Sequence, residues 1–157
     1  GYLGGANFGP ASFSPRTGLF YVTGKNDAAS IKVKPVGDTI QPGPNARGFT
    51  GTIAARGETG VTATATLTAY DPSTGQQIWY TEIPKSTNTG NLVTAGDVVF
   101  QGVSSGDFYA FDARLGRELF KFTAKTGIRA SPLTYQVNGR QYVSVAAANT
   151  VLTFGLP

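Results

Sequence analysis

Apolar and polar positions along this chain alternate with a period of two over short stretches, and no run of about 11 residues carries a helical period. Val98–Val103 (VVFQGV) and Phe108–Phe111 (FYAF) are strand-like runs separated by a Ser104–Gly106 turn. Pro132–Val137 (PLTYQV) leads to Asn138–Gly139, a dipeptide suited to a two-residue hairpin turn, and Gln141–Ala146 (QYVSVA) returns. Val151–Phe154 predicts a last strand, and the Thr-rich run 62–68 (TATATLT) predicts a strand with its hydroxyls on one face.

The strands recur in a longer pattern. Residues 69–80 read AYDPSTGQQIWY and residues 110–121 read AFDARLGRELFK, so that Ala69, Asp71 and Gly75 return 41 residues later as Ala110, Asp112 and Gly116. Trp79 returns as Phe120. A fainter copy, FSPRTGLF, occupies 13–20. In each full copy a strand meets Asp-x-x-x-Gly. The Asp bonds nearby backbone N–H groups, the Gly accepts a positive φ, and the chain returns with a large apolar anchor. Such hairpins at a spacing of about 40 residues predict four-stranded propeller blades. Residues 34–60, with three Pro and six Gly, break the rhythm and predict a long inserted loop.

The predicted fold class is therefore all-β: a partial β-propeller of about three four-stranded antiparallel blades, spanning residues 1–157. Three blades do not close a ring, and an open stack exposes sheet faces and edges. Further blades, in the same parent chain or in a partner, are expected to complete the ring. With Gly1 first and no Met, the sequence reads as a processed product or a fragment.

Composition removes several chemistries. The 157 residues include no Cys, His or Met, which leaves no ligands for a thiolate or imidazole zinc site, no thiol nucleophile and no Ser–His pair. The net charge of +4 comes from 13 basic and 9 acidic residues, the basic ones scattered along the chain, unlike the concentrated patch of a nucleic-acid groove. No apolar run is long enough for a membrane-spanning helix. Asp71 and Asp112 occupy repeat positions and read as turn-formers, not as a catalytic pair, and Trp79 reads as a packing anchor.

Gly4–Val22 (GGANFGPASFSPRTGLFYV) resembles the GGANWxPxSYSPxTGLFYV segment of quinoprotein alcohol dehydrogenases, the enzymes that depend on pyrroloquinoline quinone (PQQ). Gly90–Phe122 resembles the penultimate blade of that family and Ser131–Ala147 its final blade, while VLTFGLP resembles its closing strand. The repeat is similar to the family's tryptophan-docking motif. The resemblance implies the C-terminal part of an eight-bladed propeller, with PQQ on the axis beside Ca²⁺ or a lanthanide. The metal ligands and the catalytic Asp are then expected upstream of Gly1, so no catalytic or metal residue is assigned here.

On the same resemblance three residues are candidates for cofactor binding. Asn7 matches the Asn of GGANW, whose amide offers donors and an acceptor. Phe8 stands where the family has Trp and keeps an aromatic wall without the indole N–H. Asn88 matches the Asn of WNGG, with Thr87 in the place of its Trp. The implied partners are the remaining blades and a small alcohol substrate, and the implied location is periplasmic or extracellular. A non-catalytic propeller scaffold that binds protein partners is the alternative.

Overall fold

The computed structural model describes residues 5–35, 49–53, 60–85 and 87–155. Their thirteen strands are β1 (Ser12–Ser14), β2 (Leu19–Asn26), β3 (Ile31–Pro35), β4 (Phe49–Ile53), β5 (Thr64–Tyr70), β6 (Gln77–Ile83), β7 (Asn91–Thr94), β8 (Val98–Gly102), β9 (Asp107–Asp112), β10 (Glu118–Thr123), β11 (Leu133–Val137), β12 (Arg140–Ala147) and β13 (Thr150–Gly155). There is no helix among the described residues. The first sheet runs β1-β2-β5-β6, the second β7-β8-β9-β10 and the third β11-β12-β13. All neighbours are antiparallel.

The period of two decides which face of each strand is buried. From the first sheet Tyr21, Leu67, Ala69 and Ile83 point into a seam shared with Val99, Tyr109 and Phe111 of the second. The alternate residues of the second sheet, Phe100, Phe108 and Ala110, fill another seam with Val143, Val145 and Ile128. There Phe108 stacks on Phe154 of β13, with ring centroids 5.0 Å apart. Burying a side chain of this size contributes about 1.5–3 kcal/mol. The outward faces of the first and third sheets stay open and apolar, with Phe13, Phe20, Ile78 and Tyr80 exposed on one and Leu133, Tyr135 and Val151 on the other.

The 41-residue repeat marks the third-to-fourth-strand hairpin of successive sheets. Gly75 N–H donates to the Asp71 carbonyl and Gly116 N–H to that of Asp112, each at 2.8 Å. The fainter copy at 13–20 proves to be a different hairpin, the first-to-second turn, in which Gly18 N–H reaches the Ser14 carbonyl. Turn chemistry is shared there, but place in the blade is not. The two full copies interlock: Trp79 Nε1–H and the Tyr21 hydroxyl both donate to the Ala113 carbonyl at 3.0 Å, and Thr81 Oγ1–H donates to the Gly116 carbonyl. Trp79 is thus a packing residue.

Two expectations are revised. Within 34–60, where a loop is expected, β4 pairs with β3 from Ile31↔Ile53 to Pro35↔Phe49. The Pro and Gly count of that stretch masks two short alternating runs, IKVKP and FTGTI, whose β-branched residues suit strands. Residues 36–48 and 54–59 lie outside the described set. The third blade, expected to hold four strands, holds three among the described residues.

Asp97, at positive φ in the β7–β8 turn, ties the same end of the sheets together by accepting from Arg114 Nε at 3.1 Å and Arg16 Nε at 3.4 Å. Burial raises its pKa, but the two guanidinium groups outweigh that and hold it below the usual 3.8.

Two outcomes follow for unfolding measurements. Gly75 and Gly116 share a positive φ, yet a Cβ on Gly75 meets nothing, while one on Gly116 would lie 2.5 Å from the Trp79 ring. Gly75→Ala should cost about 1–2 kcal/mol, and Gly116→Ala about 1–3 kcal/mol more. The depressed Asp97 pKa gives a contribution that is intact above pH 3.8 and lost as pH falls through its lower folded value. Asp97→Asn, which tolerates the same φ, should therefore unfold earlier than the parent at about pH 6, and the difference should vanish as pH falls through the lowered folded pKa of Asp97.

Candidate functional site

At the end of the sheets away from these turns, the segments that enter β1, β7 and β11 touch one another in series. Lys25 N–H donates to the Gly5 carbonyl at 2.6 Å, which fastens the first segment to β2. Asn91 N–H donates to the Pro10 carbonyl at 3.1 Å. Gly9 lies so close to the second segment that a Cβ there would fall 2.5 Å from the Asn88 carbonyl oxygen. Gly90 N–H then donates to Ser131 Oγ on the third segment at 3.2 Å.

The three residues singled out from the sequence sit on the first two of these segments. Asn7 is exposed, Phe8 is 72% exposed, and Asn88 is half-buried. The backbone contact at Gly9 brings 5–10 against 87–90, so residues distant in sequence share one end of the fold. Thr87 and Thr89, on either side of Asn88, are both buried.

Beneath them runs a polar network that sequence reasoning missed. Gln101, fully buried on β8, donates from Nε2 to Thr89 Oγ1 and to the Gly102 carbonyl, and its Oε1 accepts from Thr23 Oγ1 on β2. Thr89 Oγ1–H donates to the Gly102 carbonyl, and Thr89 N–H donates to Thr87 Oγ1. Asn91 Nδ2 donates to the Tyr21 carbonyl and to Thr23 Oγ1, while its Oδ1 accepts from Ser12. One signal for it was present: Gln101 is the polar interruption of the apolar run VVFQGV. A polar side chain kept in such a run needs buried partners.

Lys25 and Asp27 form an ion pair at 3.0 Å, both side chains almost wholly buried, where β2 leaves the sheet. A groove of about 440 Å³ between the second and third sheets is lined by Ser104, Thr126, Gly127, Arg129, Ala130, Ala146 and Ala148. Arg129 is the one ionisable residue among them, so the groove holds no acid–base pair. Among the described residues no three Asp or Glu side chains gather as metal ligands. Asp71 and Asp112 serve their turns by accepting backbone N–H bonds two residues on, from Ser73 and Arg114.

A fan of two four-stranded sheets and one three-stranded sheet whose entry segments meet at one end defines a sector of a β-propeller. Residues 85–143 match the family described as "Glucose/ethanol/alcohol dehydrogenase, beta-propeller domain" of the PQQ enzymes. Among similar proteins, the dehydrogenase subunit of alcohol dehydrogenase (quinone) from Gluconacetobacter polyoxogenes is 35% identical over 92% of this chain and 21% of its own. The 1-butanol dehydrogenase (cytochrome c) of Thauera butanivorans is 37% identical over 89% of this chain and 21% of its own. The quinohemoprotein alcohol dehydrogenase structure from Comamonas testosteroni superposes with a TM-score of 0.76 at 34% identity, covering 94% of this chain and 23% of that one. Residues 85–143 thus belong to the propeller-domain family of the PQQ enzymes, and the chain as a whole is similar to alcohol dehydrogenases of that class, spanning about a fifth of the length of the curated relatives it matches.

Gly9→Ala tests the contact between the entry segments. With a Cβ 2.5 Å from the Asn88 carbonyl oxygen, it should cost about 1–3 kcal/mol in denaturant unfolding. It should also speed amide exchange at Asn91, whose N–H is held by Pro10.

Proposed function

We propose that this chain is the C-terminal portion of a PQQ-dependent alcohol dehydrogenase and lines one side of its quinone site with Asn7, Phe8 and Asn88. The observation that carries this reading is the meeting of segments 5–10 and 87–90 at one end of a fan whose residues 85–143 belong to this family. The side chains suit a planar, acceptor-rich ligand. Phe8 offers an exposed aromatic face, and the two amides offer N–H donors and carbonyl acceptors. In the bound state PQQ supplies the two-electron acceptor as an alcohol becomes its carbonyl product. Asn7 and Asn88 hold and orient it, and the Phe8 ring keeps water from one side.

The metal, Ca²⁺ or a lanthanide, is assigned to ligands outside this chain. One similar structure is a europium-containing methanol dehydrogenase, 30% identical with a TM-score of 0.72. The open faces bearing Phe13, Phe20 and Tyr80, and Leu133, Tyr135 and Val151, suit neighbouring blades that would cover them. A periplasmic or extracellular location accords with this family, and no helix among the described residues is long and apolar enough to cross a membrane.

The test uses the full-length protein, freed of cofactor and then loaded with PQQ and Ca²⁺. PQQ binding by equilibrium dialysis and alcohol-dependent dye reduction are expected. Asn7→Ala and Asn88→Ala should each weaken PQQ binding about tenfold, the scale of one or two hydrogen bonds. A folded protein with no quinone absorbance and no dye reduction would overturn the proposal and leave the non-catalytic scaffold.

A further inference from the structure

We infer that Gln101 is a positioning residue for the quinone site, the junction that holds the Asn88 segment in register with the Asn7 segment. The inference rests on the quinone reading of those two residues. Gln101 touches neither of them. It sits on β8, fully buried, at the seam between the first and second sheets.

Its two ends face different sheets. Oε1 accepts from Thr23 of β2, the strand whose Lys25 N–H holds the Gly5 carbonyl and with it the segment that carries Asn7. Nε2 donates to Thr89, which bonds in turn to the Gly102 carbonyl and, through its own N–H, to Thr87. Thr87 and Thr89 flank Asn88. The Gln101 amide therefore ties Thr89 to β2, beside the Asn91 amide that bonds β2 from the start of β7, and an amide is the side chain that can accept on one side and donate on the other. Leu or Met would fill the volume and leave both threonines without that partner.

Orientation of a binding group to within a fraction of an ångström depends on such supporting contacts. The seam is also packed independently at its far end, where Trp79 and Tyr21 hold Ala113. Loss of Gln101 should thus loosen the entry segments more than the sheets.

The experiment measures the PQQ dissociation constant and the melting temperature of the full-length protein for Gln101→Leu, Thr23→Val and Trp79→Phe, beside Asn7→Ala and Asn88→Ala. Gln101→Leu should weaken PQQ binding about tenfold, and Thr23→Val, which removes the donor to Oε1 together with the acceptor for Asn91 Nδ2, severalfold. Trp79→Phe loses the far-end bond, so it should lower the melting temperature and leave PQQ affinity within about twofold of the parent. If Gln101→Leu does not fold, Thr23→Val against Trp79→Phe decides. Parent-like affinity in Gln101→Leu and Thr23→Val, with affinity lost in Asn88→Ala, would overturn the positioning role alone. An affinity loss in Trp79→Phe as large as in Gln101→Leu for the same fall in melting temperature would reduce Gln101 to a stability residue. No change in Asn7→Ala and Asn88→Ala would overturn the quinone reading and this inference together.

Discussion

The fan rests on the burial of both faces of its middle sheet. β8 and β9 are buried along almost their whole length, with Val99, Tyr109 and Phe111 facing one neighbour and Phe100, Phe108 and Ala110 the other. A sheet covered twice carries apolar residues at successive positions, which is why VVFQGV and FYAF read as continuous runs where the outer sheets alternate. The first and third sheets are each covered once. Several of their outward residues, among them Phe13, Phe20, Leu133 and Val151, are apolar and would suit a further sheet on each side.

The two ends of the sheets divide the work. At one end tight turns interlock through the carbonyls of Ala113 and Gly116, and through the Asp97–arginine contacts, which lie near solvent. At the other the connections are longer, and what holds them is buried: the Gln101 amide and the threonines around Asn88. Buried polar groups specify geometry when each is satisfied. A ligand held at that end, as proposed, would be better served by such contacts than by exposed ion pairs, which solvent screens.

Much of this was legible in the sequence, for reasons that differ by feature. The Asp-x-x-x-Gly turns and Asn138–Gly139 announce themselves because few residues tolerate a positive φ, and the hairpins follow from them. The strand faces follow from the period of two. The hairpin β3–β4 was hidden because Pro and Gly dominate its surroundings, and composition outweighed two five-residue alternations. Asn7, Phe8 and Asn88 were found only through family resemblance, since an Asn beside glycines looks like any turn. That Gly9 would bring their segments together could not be read, because a close approach between residues 80 positions apart leaves no local pattern. Gln101 lay between these cases: its oddity in an apolar run was visible, but its partners on β2 and before β7 were set by the stacking of sheets.

The excursion between β2 and β5 leaves and re-enters the first sheet at facing residues, Asn26 and Thr64, whose side chains also bond across the gap at 3.4 Å. That doorway is closed by the ladder itself, which pairs β2 with β5 up to the point where the chain departs. Natural variation or a designer could swap the appendage for another, or for a short turn, without shifting the register of β2 on β5. The propeller wall thus carries a ready docking port for new modules, at the same end of the sheets as the segment that Lys25 fastens through Gly5.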